Sequence, residues 1–152
     1  MMRLLLAVLF AAAAGLAAAQ PAPAQDGHAA PSPKLLTIVA TPEPQTQLMA
    51  MVLTMQAVQQ GAQARILLCG PGGDIGLIDA PDAATAPQAP KGMSPQSLMS
   101  VLIESGVTVE VCAIYLPNAG LAPEALLPGI GVAKPPEIGA ALVAEGARVL
   151  SF

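Results

Sequence analysis

The sequence predicts an α/β fold with a mostly parallel sheet and helices on both of its faces. Strand-like and helix-like segments alternate along residues 34–152. The strand-like segments are short, continuous apolar runs, which are typical of strands buried on both faces of a sheet. Turn residues, chiefly glycine and proline, separate the segments. An alternating order of this kind indicates parallel strands joined by helical crossovers.

The first half of the domain contains two predicted strands and one helix. Residues 34–40 and 65–69 are apolar runs of strand length, and residues 70–74 form a tight glycine-rich turn. Residues 45–60 have helical periodicity, and Gly61 follows as a C-terminal cap. The predicted apolar stripe of this helix consists of Leu48, Met51, Val52, Met55 and Val58.

A long loop and a second helix follow. Residues 79–92 are rich in Pro, Ala and Asp without periodicity, which predicts a surface loop. Ser94 and Pro95 then provide a hydroxyl N-cap and a proline at the first helical position. Leu98, Val101 and Leu102 form the predicted apolar face of this helix, which ends at Gly106.

The last part of the chain contains the third strand and smaller elements. Residues 106–112 read as a strand that ends at Cys112, and residues 115–120 read as a loop. The remaining predictions are a helical turn at 123–127, a short strand at 131–133, a helix at 135–144 and a final strand at 148–152.

The amino-terminal residues have the pattern of an export signal. A short basic start precedes an apolar run, and Ala17–Ala19 supplies the small residues that signal peptidase recognises. We therefore expect a signal peptide at 1–19, cleaved after Ala19, and a periplasmic mature protein. Residues 20–33 form a Pro/Ala-rich linker that we expect to be disordered. Residues 34–152 remain as a single domain.

Composition excludes several classes of function. With Arg3 in the signal peptide, five basic residues face ten acidic ones in the mature chain, and they form no cluster. This argues against nucleic acid as a partner and against membrane association after cleavage. The only histidine, His28, lies in the predicted linker, which excludes a histidine-based metal site or catalytic triad within the domain. We expect no cofactor and no bound metal.

Cys112 is the strongest candidate for a functional residue. It ends a predicted strand, and ligands and chemistry gather beyond the carboxyl ends of strands in a parallel sheet. It is either a reactive thiol or a small buried apolar residue, and the local pattern does not separate the two. Lys134 is expected at the same edge, directly before a helix start. Its ammonium group and the positive end of the helix dipole would both favour a thiolate at Cys112.

Cys69 also ends a predicted strand, so the two sulfur atoms are expected near one another. It is an auxiliary thiol, a disulfide partner or core packing, and its apolar surroundings favour the last. Glu110 shares a strand face with Cys112, where it either steers a proton near the thiol or is a solvated or interface-facing carboxylate. Tyr115 is either a hydrogen-bond donor to the thiol or a half-buried anchor of the following loop.

Two further motifs are weak. Residues 70–74 superficially resemble a phosphate loop but match neither G-x-G-x-x-G nor the Walker sequence, so nucleotide binding is not expected. Met49, Met51 and Met55 suggest soft-metal binding through thioethers. Met49 points away from the other two on a helix, which favours core packing for this set.

The chain resembles the exported branch of the DsrE/DsrF-like proteins. The resemblance rests on five segments: 67–74, 94–96, 106–118 with its Gly-Val-x-Val-x-Val-Cys block, 131–137 and the final strand at 148–152. It implies a three-layer α/β/α domain with about five strands, often assembled as trimers or hexamers. It also implies that Cys112, by its position, carries a persulfide between partner proteins.

The sequence therefore leads to one preferred function and two alternatives. The preferred one is periplasmic sulfur handling, in which Cys112 accepts sulfane sulfur and exchanges it with a donor or acceptor protein. Whether this amounts to enzymatic activity stays open. The first alternative is a non-catalytic oligomeric binding module with buried or disulfide-bonded cysteines. The second is binding of Cu(I) or another soft metal.

Overall fold

The computed structural model describes residues 32–152. The predicted signal peptide and residues 20–31 of the predicted linker lie outside this range. Within it, no helix combines the length and the hydropathy that a membrane-spanning segment needs.

A five-stranded, all-parallel sheet forms the centre of the domain, with strand order β4-β3-β2-β1-β5. The fold class predicted from the alternating segments is therefore confirmed. The strands are β1 (Lys34–Val39), β2 (Gln63–Leu68), β3 (Thr108–Val111), β4 (Ile130–Val132) and β5 (Ala147–Ser151). Because all five are parallel, their carboxyl ends lie at one edge of the sheet.

Helices connect the strands on both faces of the sheet. Residues 32–152 contain five α-helices: α1 (Pro44–Gln59), α2 (Asp82–Thr85), α3 (Pro95–Glu104), α4 (Tyr115–Ala119) and α5 (Pro135–Leu142). The same range includes 3₁₀ helices at Gly70–Gly76 and Pro123–Ala125.

The two faces of the sheet are covered unequally. The first face packs against α1 and α3, and the main core forms there from fully buried residues such as Met51, Ile66 and Met99. Strand side chains alternate between the two faces, so the residues next to Ile66 in β2 point to the second face. There, Leu36, Leu67 and Ala133 pack with Ile138 of α5 in a smaller cluster. The second face therefore depends on one short helix.

The helix faces differ in detail from the predicted stripes. In α3, Met99 and Leu102 are fully buried while Val101 is 40% exposed, so including Val101 in the apolar face was wrong. Met99 and Leu102, three positions apart, share the buried face, and Val101 is turned about 100° away from Leu102. In α1, Ala50 and Thr54 are buried beside Met51, and Thr54 bonds the buried Thr37 hydroxyl at 2.8 Å. Polar burial of this kind is invisible to an apolar pattern.

Three predicted loops contain helical structure. The 79–92 segment includes α2, whose Ala84 is buried against the core, and an isolated bridge between Gln88 and Met93. The 115–120 segment is α4, ended by Gly120 in the left-handed region. The 70–74 turn belongs to a seven-residue 3₁₀ helix. Tertiary packing stabilises these short elements, and sequence periodicity cannot detect them.

Candidate functional site

The two cysteines lie side by side at the carboxyl edge of the sheet. Cys69 follows β2 and Cys112 follows β3, and both continue the ladder through backbone N–H bonds of 2.8 Å to Val39 and Leu68. Because Leu68 pairs with Val111, the next two positions face each other. Their Cα atoms are 5.1 Å apart, within the range of a disulfide, and the side chains form one. The register of two parallel strands thus brings together thiols 43 residues apart.

An apolar cleft opens beside Cys112 on the second face. It has a volume of about 350 Å³ and lies between α5 and the segment that follows Cys112. Its lining consists of Leu67, Cys112, Ala113, Ile114, Ala133, Pro135, Ile138, Gly139 and Leu142. Apart from the sulfur of Cys112, no lining side chain carries a polar atom. Cys69 does not line the cleft.

The rim of the cleft exposes large apolar side chains to solvent. Ile114 is 72% exposed and Leu142 is 43% exposed. Val143, which directly follows α5, is 84% exposed. Exposed apolar side chains beside a concave site are a common feature of binding surfaces.

Lys134 lies at the predicted edge, directly before α5. The backbone N–H of the preceding residue, Ala133, extends the ladder by donating to the carbonyl of Val111. The Lys134 ammonium lies 3.0 Å from Glu137 Oε1, and its side chain is 75% exposed. The hydrogen bond from Lys134, with its charge, holds the pKa of Glu137 below its ordinary value. The lysine charge is therefore offset by its neighbour.

Glu110 is ion-paired with Arg65 on the second face. The Arg65 Nε donates to Glu110 Oε2 at 2.6 Å, and the Glu110 side chain is only 12% exposed. Arg65 also lies 3.5 Å from Glu137. Of the predicted alternatives for Glu110, a solvated carboxylate is wrong, because Arg65 on the adjacent strand binds it; the proton-steering and interface-facing alternatives stay predictions. These ion pairs connect β2 and β3 to α5.

Tyr115 bonds an acid and not a sulfur atom. Its hydroxyl donates to Asp74 Oδ1 at 2.7 Å, and the residue is buried. Burial, followed by the bond to Asp74, raises the pKa of Tyr115. The ring packs on Gly73, where an added Cβ would lie 2.5 Å from a ring carbon. The predicted hydrogen bond to the thiol is therefore replaced by an anchor between α4 and the glycine-rich 3₁₀ helix.

The glycine-rich segment has a packing role that explains its sequence. A Cβ at Gly72 would collide with the carbonyl oxygen of Val39, so only glycine fits beside the carboxyl end of β1. Gly73 makes room for Tyr115 in the same way. Asp74 was not singled out from the sequence, although its position after a glycine run marks it as a residue fixed by a tight turn.

The methionines singled out on α1 differ in their surroundings. Met51 is fully buried in the core, whereas Met49 is 50% exposed. Residues 32–152 hold no group of three or more His, Cys, Asp or Glu side chains arranged to bind a metal ion. The cysteines, bonded to each other, offer no thiolate. The described part of the chain thus gives soft-metal binding no support.

Fold and site together define an α/β protein of DsrE-like fold with paired cysteines at the carboxyl edge of its sheet. The ychN protein from E. coli matches with a TM-score of 0.62 and 18% identity, over 80% of this chain and 99% of that chain. A protein of unknown function from Methanobacterium thermoautotrophicum, MTH1491, matches with a TM-score of 0.58 and 13% identity, over 80% and 99% of the two chains. Both neighbours have the DsrE-like fold. No family model and no curated protein matches the chain.

Proposed function

We propose that this protein handles sulfane sulfur and that Cys112 carries it as a persulfide. One observation carries the proposal: Cys112 joins a disulfide at the carboxyl edge of the sheet and also lines an open cleft. The DsrE-like fold is consistent with a sulfur-relay role. Because ligands of parallel α/β proteins gather at this edge, a sulfur atom here is well placed for exchange with a partner.

Cys112 is a better carrier than Cys69. Both cysteines are partly buried and pack against the small cluster around Leu36, but Cys112 lines the cleft and Cys69 does not. A thiol must be accessible to react with a sulfur donor. Cys69 is then the auxiliary thiol, which is bonded to Cys112 in the oxidised protein.

The location and assembly of the protein are part of the same proposal. Export to the periplasm would place the cysteine pair where disulfides persist. Assembly into a trimer or hexamer would cover the apolar surface that α5 leaves open on the second face. Val149 of β5, which is 43% exposed, belongs to this surface because it pairs with Leu36 of the second-face cluster. A donor or acceptor protein would then approach through the exposed rim of the cleft.

Polysulfide labelling of the reduced protein tests the proposal. Wild type and the Cys112→Ser and Cys69→Ser variants are reduced, freed of reductant, exposed to polysulfide and desalted. We expect wild type and Cys69→Ser to gain sulfur by intact mass, and Cys112→Ser to gain none. Equal loading of Cys112→Ser and Cys69→Ser, or no loading of any protein, would overturn the assignment. Circular dichroism spectra matching wild type confirm that each variant is folded.

The disulfide specifically favours a second candidate, a non-catalytic binding module. Both cysteines of the chain are bonded, so the structure contains no free thiol for chemistry. In such a module the disulfide would only fix the ends of β2 and β3 beside the cleft. Failure of the reduced protein to accept sulfur, together with unchanged oligomerisation of the Cys69→Ser/Cys112→Ser variant, would favour this candidate.

A further inference from the structure

The oxidised state of the site raises the question of how sulfur reaches it. A persulfide carrier with a free thiol takes sulfur from a sulfane donor, but here Cys112 is bonded to Cys69. We propose that hydrosulfide is the sulfur source for the oxidised protein, and that its attack on the disulfide loads Cys112 directly. The inference rests on the proposed role of Cys112 as the carrier.

The chemistry is thiol–disulfide exchange with hydrosulfide as the attacking group. The sulfur of hydrosulfide forms a bond to Cys112 Sγ, and the bond between Cys112 and Cys69 breaks. The electron pair of the broken bond leaves on Cys69 as a thiolate, while the hydrosulfide proton stays on the new terminal sulfur. The disulfide is reduced and sulfide is oxidised to the sulfane level, so no further oxidant is required.

The position of the cleft decides which sulfur is attacked. Cys112 lines the cleft beside Ala113 and Ile114, and Cys69 does not line it. A nucleophile in the cleft therefore meets Cys112 first, and Cys69 becomes the leaving group. Attack on Cys69 from outside the cleft would instead place the persulfide on Cys69. The residue that carries the persulfide therefore tests this geometry.

The lining of the cleft favours hydrogen sulfide over peptide thiols. Ala133, Pro135, Ile138 and Leu142 offer no hydrogen-bond partner to a ligand. A charged thiol such as glutathione would lose hydration here without compensation, which is costly for each ionised or amide group. Hydrogen sulfide is small and weakly hydrated, so its neutral form enters an apolar site at little cost. Its proton passes to water at the open mouth of the cleft, and the resulting hydrosulfide attacks. The cleft thus selects by polarity.

The test uses the full-length mature protein with its disulfide intact. Limiting sodium sulfide, freed of polysulfide and kept anaerobic, is added, and samples are alkylated over time. Trypsin cuts after Arg65 and Lys91 and so separates Cys69 from Cys112. We expect an intact mass increased by one sulfur and two hydrogens, an alkylated persulfide on the Cys112 peptide and an alkylated thiol on the Cys69 peptide. We also expect glutathione at equal concentration to open the disulfide at least tenfold more slowly.

A matched variant separates this inference from the proposed function. Cys69→Ser leaves Cys112 as a thiol, so polysulfide should still load it but hydrosulfide should not. A disulfide inert to hydrosulfide, a persulfide on Cys69, or opening by glutathione as fast as by hydrosulfide would overturn the inference. If Cys69→Ser still accepts sulfur from polysulfide, the carrier role survives that result. If it does not, the proposed function itself fails.

Discussion

Reduction of the Cys69–Cys112 disulfide should destabilise the domain by an amount set by the loop that it closes. The two cysteines are 43 residues apart. A cross-link that closes such a loop lowers the entropy of the unfolded chain. By the chain-entropy relation this raises the free energy of unfolding by about 4 kcal/mol at 25 °C. This is a large share of the stability of a small domain, which is about 5–15 kcal/mol.

Urea unfolding of the oxidised and reduced protein, followed by circular dichroism, measures the difference. With a slope of about 2 kcal/mol/M for a domain of this size, the midpoint should fall by about 2 M on reduction. The slope itself should rise, because the reduced unfolded chain exposes more surface. The Cys69→Ser/Cys112→Ser variant should unfold near the reduced midpoint with or without reductant. A shift equivalent to less than about 1 kcal/mol would refute a bridge that constrains the unfolded chain.

Three further changes test the packing around the site and core. Gly139→Ala should raise the free energy of unfolding in urea by about 0.5–1 kcal/mol, because alanine favours a helix over glycine and the added Cβ on α5 meets no atom within 4 Å. A loss of stability would contradict the open space that the cleft leaves at this position. Thr54→Val should lower the free energy of unfolding by about 1–3 kcal/mol, because it leaves the buried Thr37 hydroxyl unpaired. Thr37→Val should lower it less, because Thr54 still donates to a backbone carbonyl. Equal losses would contradict a bond in which Thr37 donates to Thr54. The pKa of Tyr115 is higher in the folded than in the unfolded protein, so the stability that it contributes is present below about pH 10 and is lost as the pH rises further. The free energy of unfolding of Tyr115→Phe should therefore fall less above pH 10 than that of wild type. The same pH dependence in both proteins would contradict this contribution.

The sequence identified the strand ends well but could not identify their partners. Apolar runs that end at Cys69 and Cys112 placed both sulfur atoms at the carboxyl edge, because that inference needs only local pattern and parallel topology. The bond between them depends on β2 and β3 being adjacent and on their register. Adjacency of strands is a non-local property, so local pattern left the disulfide open.

The same limit explains the side chains whose partners the sequence left open. Tyr115 bonds Asp74 across 41 positions, and Glu110 pairs with Arg65 across 45. Local sequence left Tyr115 as a donor to sulfur or a loop anchor, and Glu110 as a proton-steering, solvated or interface-facing carboxylate, because their actual partners are close only in the folded sheet. The apolar cleft was also missed, since it forms between α5 and a segment more than twenty positions earlier. The formation of such a cleft depends on contacts between segments that are distant in the sequence.

Transfer of sulfur from Cys112 to a small acceptor is the most direct test of a carrier. The Cys69→Ser variant, loaded with polysulfide and desalted, is mixed with cyanide, and both thiocyanate and the intact protein mass are measured. A persulfide on Cys112 predicts one thiocyanate for each loaded protein, return of the protein to its unloaded mass, and no thiocyanate from Cys112→Ser. Sulfur retained on the protein, or equal thiocyanate from both variants, would contradict a role for Cys112 in sulfur transfer.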